Sequence, residues 1–252
     1  MCSNYIFKMN FAIIILTVVL VVLIFILYRY FVSTSSTLVS QSSLLNTNIP
    51  IQITSNPAST RYSYGLWIYV NSWNNNNYKP IFSHPVDSTN SNLSQICVYL
   101  NDTTTTLMCH ILLNSSTETH TKINVTENFP LQKWVYFVVS VDNEFVDLYL
   151  DGKLVKSIKL PTTPKTSSHS SILLGNMFAA PPGVATATSY TVTSDITIAK
   201  FVRWTTPLNP QEVWNTYMKG NGGNIFSNLF SKYGVKVGIT SDGITQSEFS
   251  LY

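Results

Sequence analysis

The chain has 252 residues, a formal net charge of +3 and only 11% charged residues. Charge this sparse excludes the basic stripe of a nucleic-acid-binding protein, and the length suits one anchored domain with a stalk, or at most two small domains. Outside one apolar segment near the N-terminus, the chain is rich in Asn, Ser and Thr, with many Tyr, Phe and Val. This mixture favours strands and turns over helices.

An uncharged apolar run lies between Lys8 and Arg29. About 20 residues of α-helix span about 30 Å, which is the thickness of a bilayer core. We therefore predict an N-terminal tail over residues 1–8 and a retained transmembrane helix over residues 9–30. The alternative is a cleaved signal peptide, but its apolar region is normally only about 7–15 residues. The charges around the run favour a cytosolic N-terminus and leave the orientation open.

The segment after this run, residues 31–48, is rich in Ser and Thr and is predicted to be a stalk. Short segments with alternating apolar residues follow, which predicts an antiparallel sandwich. One of them places Leu66, Ile68 and Val70 on one face of a strand and Trp67 on the other. The predicted strands or hairpins lie in residues 49–54, 61–73, 79–84, 96–113, 121–125, 134–142, 144–151, 153–160, 171–176 and 195–204.

Turn and capping signals punctuate this pattern. Asp142-Asn143 and Asp151-Gly152 are predicted tight turns. A C-terminal helix is predicted with Asn209 as N-cap, Pro210 at its first position and Glu212 completing a capping box. The tail after it, residues 221–252, is predicted either to add an edge strand or to reach a neighbouring protein.

Five segments carry a pattern in a fixed order along the chain: "GLWIYV", "WVYFVVSVDNEFVDLYLDGKLV", "ILLGN", "DITIAKFVRW" and "LNPQEVWNTY". This ordered set resembles the laminin-G-like, concanavalin A-like jelly-roll superfamily. The resemblance covers about residues 49–220 and implies an all-β, antiparallel jelly-roll sandwich with one short C-terminal helix. Because that superfamily contains enzymes, lectins and adhesion modules, the fold alone does not give the function.

The spacing of the carboxylates bears on whether the chain is an enzyme. Hydrolases of the superfamily carry closely spaced carboxylates on one strand, and glycoside hydrolysis needs two of them across the scissile bond. The near pair in this chain, Glu144 and Asp147, falls on opposite faces of a strand. We therefore predict no catalytic residues and no enzyme activity.

The histidines and the loop carboxylates are the candidate metal ligands of the chain. The four histidines, His84, His110, His120 and His169, show no ligand spacing, so no metal site is predicted from them. The resemblance to laminin-G-like domains implies calcium as a candidate cofactor, because many such domains bind it through loop Asp residues. The candidate ligands are Asp87, Asp102 and Asp195, for which solvated loop carboxylates are the favoured interpretation.

Contact sites are predicted in two loops. Trp73 with Asn75 and Asn76 is the candidate glycan contact, because sugar binding needs an aromatic platform and polar loop groups. The long, sparsely charged segment 176–194 is the candidate partner contact, since long loops in compact domains are usually functional or disordered. Its named candidates are Met177, Phe178, Pro181, Pro182 and Tyr190.

Covalent modifications are predicted in one third of the domain. Asn92, Asn101, Asn114 and Asn124 match the N-glycosylation pattern. A hairpin folded about Thr103 places Cys97 opposite Cys109, which makes a disulfide between them a candidate.

Two functions remain, both without catalysis. A short N-terminal anchor followed by one laminin-G-like domain resembles membrane-anchored minor capsid proteins of large icosahedral DNA viruses. That resemblance implies a protein linking a virion inner membrane to neighbouring capsid proteins, with bare sequons and free thiols. The alternative is a lectin-like adhesion protein of the cell surface, with glycosylated sequons and an oxidised cysteine pair.

Overall fold

The computed structural model describes residues 2–31, 35–44, 50–53, 58–75, 77–86, 93–114, 119–177, 190–191, 195–221, 235–241 and 244–251. Two compact units divide the chain, Met1–Ser36 and Thr37–Tyr252. The first unit contains helix α1, Cys2–Phe31, in which the side chains described are those of residues 13–27. Within the part of the chain that the structure describes, no helix combines the length and the apolar character needed to cross a membrane.

The second unit is an antiparallel sandwich of two six-stranded sheets. The first sheet has the order β1-β14-β3-β8-β9-β10, and the second has the order β2-β11-β4-β5-β6-β7. Strands of the first sheet are β1 Ser35–Ser43, β3 Arg61–Val70, β8 Trp134–Asp142, β9 Phe145–Leu150, β10 Lys153–Lys159 and β14 Ile196–Trp204. Strands of the second are β2 Ile51–Gln52, β4 Lys79–Pro85, β5 Ser94–Leu100, β6 Leu107–Leu112, β7 His120–Thr126 and β11 Ser171–Leu174.

Three short elements complete the described chain. Strands β12, Asn176–Met177, and β13, Tyr190–Thr191, pair with each other. Helix α2 runs over Pro210–Met218. In the tail, β15 Val235–Ser241 and β16 Ile244–Leu251 form a hairpin of their own. The predicted addition of a tail strand to the edge of the sandwich is therefore not what the described residues show.

Strand alternation builds two apolar layers. Leu66, Ile68 and Val70 point into the space between the sheets, where the main core lies. Trp67 points outward and packs with Tyr136, Trp204 and Val213 beneath α2. The predicted division of the faces of β3 is confirmed, and the outer layer fixes α2 on the first sheet.

The predicted stalk is partly a strand. Residues 35–43 form β1 at the edge of the first sheet, next to β14. Strand pairing uses backbone groups and does not depend on side-chain polarity, while Leu38 and Val39 supply apolar packing against the core. The prediction of a stalk, which was based on the Ser/Thr-rich composition, is therefore wrong for residues 35–43, which form an edge strand.

The cysteine hairpin differs from the prediction by one residue. Its register pairs Leu100 with Leu107, so Val98 lies opposite Cys109 and Cys97 opposite His110. A shift of one residue moves a side chain to the other face of the sheet. Cys109 lies in the main core while Cys97 packs with Tyr99 in a separate cluster, and no disulfide joins them. The predicted disulfide is thus wrong.

The turns and the helix cap follow the sequence signals closely. Asp151 and Gly152 both have positive φ, 48° and 78°, as a type I′ turn requires. The preceding turn is centred on Asn143, with φ 54°, and Glu144, one residue later than predicted. The capping box predicted for α2 is present, with Asn209 as N-cap.

Candidate functional site

The candidate site lies on the outer face of the first sheet, at the β8–β9 turn. Because Val141 and Val146 point into the core, the neighbouring Asp142, Phe145 and Asp147 point outward. Across the sheet, Arg61 on β3 lies opposite Asp142. The turn thus places an aromatic ring, two carboxylates and a guanidinium on one surface.

The facing wall is the segment from Thr206 to Pro210 that leads into α2. Two buried serines hold it: the Leu208 amide donates to Ser63 Oγ at 3.0 Å and to Ser140 Oγ at 2.9 Å. Ser63 Oγ in turn donates to the Thr206 carbonyl at 3.0 Å. The wall is therefore fixed before any ligand arrives.

Between the turn and this wall runs an open groove of about 440 Å³. A second groove of about 300 Å³ lies on the turn itself and is lined by Asn143, Glu144 and Thr163. Asp142 and Phe145 line both. Phe145 is 56% exposed, so it stands as an aromatic ridge shared by two adjoining grooves.

Charges around the ridge are mixed. Arg61 Nε contacts Asp142 Oδ1 at 2.8 Å, and Asn143 Nδ2 donates to the same oxygen at 3.1 Å. Lys159 Nζ lies 3.6 Å from a Glu144 oxygen and 5.9 Å from the centre of the Phe145 ring. Both ion pairs are well exposed and so add little to stability. Their consequence is to orient polar groups at the rim of the grooves.

The carboxylates considered for catalysis are separated by Phe145. Asp147 lines the larger groove and Glu144 lines the smaller one. Glu144 lies in the turn before β9, so the prediction that the two carboxylates occupy opposite faces of a strand is not tested by this geometry. Asp142 and Asp147 do share the outer face, but Asp142 is engaged by Arg61 and Asn143.

Trp73, the predicted glycan contact, makes two contacts with its own neighbourhood. Its indole N–H donates to Asn75 Oδ1 at 2.8 Å, and Lys79 Nζ lies 3.8 Å from the centre of its ring. Lys79 also donates to the Asn77 and Asp102 carbonyls, at 2.7 and 3.2 Å. The ammonium covers one face of the ring, which counts against a stacked sugar on that face, and the glycan contact stays a prediction. Asn76 lies outside the described residues.

The candidate calcium ligands interact locally. Asp102 Oδ1 accepts from the Thr103 amide, and Asp195 Oδ2 accepts from Asn71 Nδ2 at 2.7 Å. Asp87 lies outside the described residues. Across the residues the structure describes, no three His, Cys, Asp or Glu side chains form a group able to hold a metal ion.

Other predicted contacts are only partly described. Met177 and Tyr190 pair through their backbones in the β12–β13 ladder, whereas Phe178, Pro181 and Pro182 lie outside the described residues. Of the sequons, Asn114 and Asn124 are exposed and Asn101 is half-buried. Asn92 lies outside the described residues, and the role of all these residues stays a prediction.

Sequence reasoning missed Phe145 and Arg61. The signal was present in β9, where inward Val146 and Leu148 alternate with outward Phe145 and Asp147. A large aromatic residue at an outward position beside a turn is the kind of exposed apolar group that marks a contact site when polar groups surround it.

Residues 45–213 match the family model Laminin_G_3, described as the concanavalin A-like lectin/glucanases superfamily. The chain belongs to this family, as the ordered segments of the sequence indicated.

Solved structures with a similar fold include receptor-binding domains of botulinum neurotoxins. The serotype G binding domain is 17% identical, with a TM-score of 0.51 over 71% of this chain and 42% of that chain. The binding domain of botulinum neurotoxin DC, solved in complex with SialylT, is 14% identical, with a TM-score of 0.51 over 71% and 42% of the two chains. This chain spans less than half the length of those domains, and at such identity the likeness shows the fold alone. No curated protein matches the sequence.

Proposed function

We propose that the chain is a non-catalytic, lectin-like protein that binds a neutral oligosaccharide at the Phe145 ridge. The observation that carries this proposal is an aromatic ring, 56% exposed, standing between two grooves whose rims carry carboxylates. Membership of a family that contains lectins supports it. The fold alone does not give the function, and the proposal therefore rests on the residues that line the grooves.

The chemistry of the ridge suits a sugar. The face of an aromatic ring packs against the C–H face of a pyranose, and edge hydroxyls then point to the rim. There Asp142 and Asp147 accept charge-assisted hydrogen bonds, and Arg61 donates one. Since Ser63 and Ser140 already fix the opposite wall, little ordering is needed on binding.

Carboxylates also select against acidic sugars. Asp142, Glu144 and Asp147 all line the two grooves. Asp142 and Glu144 are paired with Arg61 and Lys159, whereas Asp147 has no ion-pair partner among the described residues. A sialylated or sulfated sugar would therefore bring like charge next to Asp147, which is unfavourable. The proposed ligand is therefore neutral, and its length is at least two sugar units because one ridge separates two grooves.

The test is binding to an array of neutral and acidic oligosaccharides, followed by calorimetry on the best neutral ligand. Phe145→Ala should weaken binding at least tenfold. Leu131→Ala, at another exposed apolar residue near the opposite end of β3, is the matched control and should bind like the parent chain. Binding only to acidic glycans, or unchanged affinity of Phe145→Ala, would overturn the proposal.

We also propose that residues 9–30 form a retained membrane anchor, with the sandwich on the far side from the cytosol. The uncharged run between Lys8 and Arg29 supports it. Carbonate extraction should leave the chain in the membrane pellet, and N-terminal sequencing should find no mature start near Ser33. The minor capsid role rests on the sequence resemblance alone and is kept as the alternative outcome of the topology test below.

A further inference from the structure

We propose that a second surface, at the C-terminal end of α2, docks onto an anionic lipid bilayer. We call it the α2 patch and define it by Trp214, Met218 and Leu154 with the flanking Lys200 and Lys219. It goes beyond the proposed glycan binding and shares no residue with the Phe145 ridge.

The apolar part of the α2 patch is exposed in spite of its size. Val213 is buried and Tyr217 stacks on Trp67, with ring centroids 5.5 Å apart, so these two side chains attach the helix to the sheet. Trp214, which follows Val213, is 40% exposed, and Met218, which follows Tyr217, is 64% exposed. Because residues four apart are neighbours on a helix, Trp214 and Met218 form one apolar strip.

The strip continues onto β10. A Cβ added at Gly152 would lie 2.8 Å from Trp214 Cε3, so the turn before β10 touches the helix directly. Leu154 pairs with Tyr149, which is buried in the layer beneath α2, and residues paired across strands share a face. Leu154 therefore lies on the same outer surface and is 49% exposed.

The rim of the α2 patch is basic. Lys219 is the C-cap of α2, and Lys200 on β14 lies beside it, with its Nζ 3.4 Å from the Lys219 carbonyl oxygen. Lys200 Nζ donates to the Gly220 carbonyl at 2.9 Å, which offsets the negative end of the helix. The carboxylate at the turn, Asp151, lies 3.5 Å from Lys133 Nζ. The named charges around the strip therefore sum to a positive surface.

These features fit a bilayer better than a protein groove. An indole has an apolar body and one polar N–H, and this suits the boundary between headgroups and acyl chains. Lysines beside it are attracted to anionic headgroups through interactions that salt screens. The strip is convex on a helix, so it enters a soft apolar phase without needing a complementary cavity.

The experiment uses the full chain in nanodiscs, with Cys2→Ser to leave only the buried native thiols. A spin label at Met218→Cys reports the α2 patch, and a label at Asn128→Cys, in the exposed β7–β8 connection, is the control. Collision with oxygen and with a water-soluble nickel complex is measured in phosphatidylcholine discs and in discs with added phosphatidylserine. Oxygen access at 218 should rise several-fold over nickel access only with phosphatidylserine.

The double variant Lys200→Gln/Lys219→Glu should abolish this change, as should high salt, while position 128 stays water-accessible throughout. Equal water access at 218 in both lipids would overturn the proposal. Protection of 218 in detergent that rises with protein concentration would show docking onto a second copy instead. Because glycan binding is measured separately at Phe145, failure of one proposal does not decide the other.

Discussion

At the scale of single residues, Phe145 and Lys79 both depart from the burial that is usual for their residue types. Phe145 is exposed, whereas Lys79 is buried and its pKa is lowered by desolvation. Its ammonium stays satisfied because it donates to carbonyl oxygens and lies over the Trp73 ring. Lys79 therefore ties the loop before β4 to the β5–β6 connection.

Replacing Lys79 should reveal this role. Lys79→Met leaves part-buried carbonyls without their donor and removes the cation–π contact, so we expect the free energy of unfolding to fall by about 1–3 kcal/mol. Urea denaturation checks it. Lys122→Met, at an exposed position on β7, is the control and should stay within about 0.5 kcal/mol of the parent. Equal behaviour of the two variants would contradict the assigned role.

Buried histidines should make the fold acid-sensitive. His84 lies near Tyr64 Oη at 3.2 Å and the His169 carbonyl at 2.9 Å, with Arg203 and His169 as the nearby charged or titratable groups. Desolvation lowers the pKa of His84 to about 4, despite the opposing hydrogen bond to the His169 carbonyl. Since the unfolded state binds the proton more tightly, stability is full above about pH 6.5 and falls as the pH approaches 4.

We expect this loss to reach at most about 3 kcal/mol for His84. His110 adds to it, because desolvation lowers its pKa to about 3. Urea midpoints between pH 7 and 4 measure the slope, which His84→Gln should flatten and His120→Gln, at a half-exposed position, should not. A slope that His84→Gln leaves unchanged would show that the acid sensitivity arises elsewhere.

At the scale of elements, strand identity was predictable and register was not. The meander from β8 to β10 and helix α2 follow from alternation, turn residues and a capping box, all of which act within a few residues. The β5–β6 register depends on how four threonines close the loop, and the Asn101 amide donates to the Thr106 carbonyl. This closure sets a register one residue away from the predicted one, which places Cys109 on the opposite face of the sheet from Cys97.

Strand β1 and the irregularity within β14 were not predicted, for related reasons. Strand β1 is specified by pairing with a distant strand, which local composition does not report. In β14 an irregularity at Lys200, with φ 47°, shifts the alternation between Ala199 and Val202. As a result Arg203 is buried, and local periodicity could not have placed it there. The Phe145 ridge needed both strand order and the approach of a segment far along the chain.

The corrected register predicts the redox state of the β5–β6 hairpin. Because Cys97 and Cys109 lie on opposite faces, both should remain thiols even in an oxidising compartment. Alkylation after denaturation without reductant should add two labels, read by mass on a peptide covering both residues. The same peptide from a sample reduced first is the control. Protection of both cysteines in the unreduced sample would show that the register is different.

The cap of α2 links stability to the proposed site. Asn209 accepts from the Glu212 amide at 2.9 Å and also lines the larger groove. Asn209→Ala should cost about 1 kcal/mol in the free energy of unfolding and should also weaken glycan binding. Glu212→Ala removes the reciprocal half of the capping box without touching the groove, so it should reduce stability alone. Equal losses of affinity in both variants would mean that Asn209 acts only through the helix.

At the scale of the whole sandwich, the two proposed contact surfaces lie at opposite ends of helix α2. Its N-terminal residues border the groove lined by Asp142 and Asp147, and its C-terminal end carries the lysine-flanked α2 patch. Nine helical residues span about 13 Å, so the two surfaces are close but distinct. A domain held against an anionic bilayer through one surface would leave the other open to a sugar.

The topology of the proposed membrane anchor would decide between the two proposed functions of the chain, and the sequons would report it. If the sandwich lies across the membrane from the cytosol, as a surface lectin requires, the exposed Asn114 should carry a glycan. Asn124 is also exposed, but it lies within β7, where an ordered strand is a poorer acceptor than the loop at Asn114.

Intact-mass analysis of protein from its native source should therefore show glycan mass that Asn114→Gln removes and Asn124→Gln reduces less. Unmodified asparagines would place the domain in the cytosol if the sandwich is also cleaved by protease added to sealed microsomes whose cytosolic face is outward. That outcome would overturn the surface-lectin proposal and favour the minor capsid role, because a capsid protein assembling in the cytosol meets no glycosylation machinery.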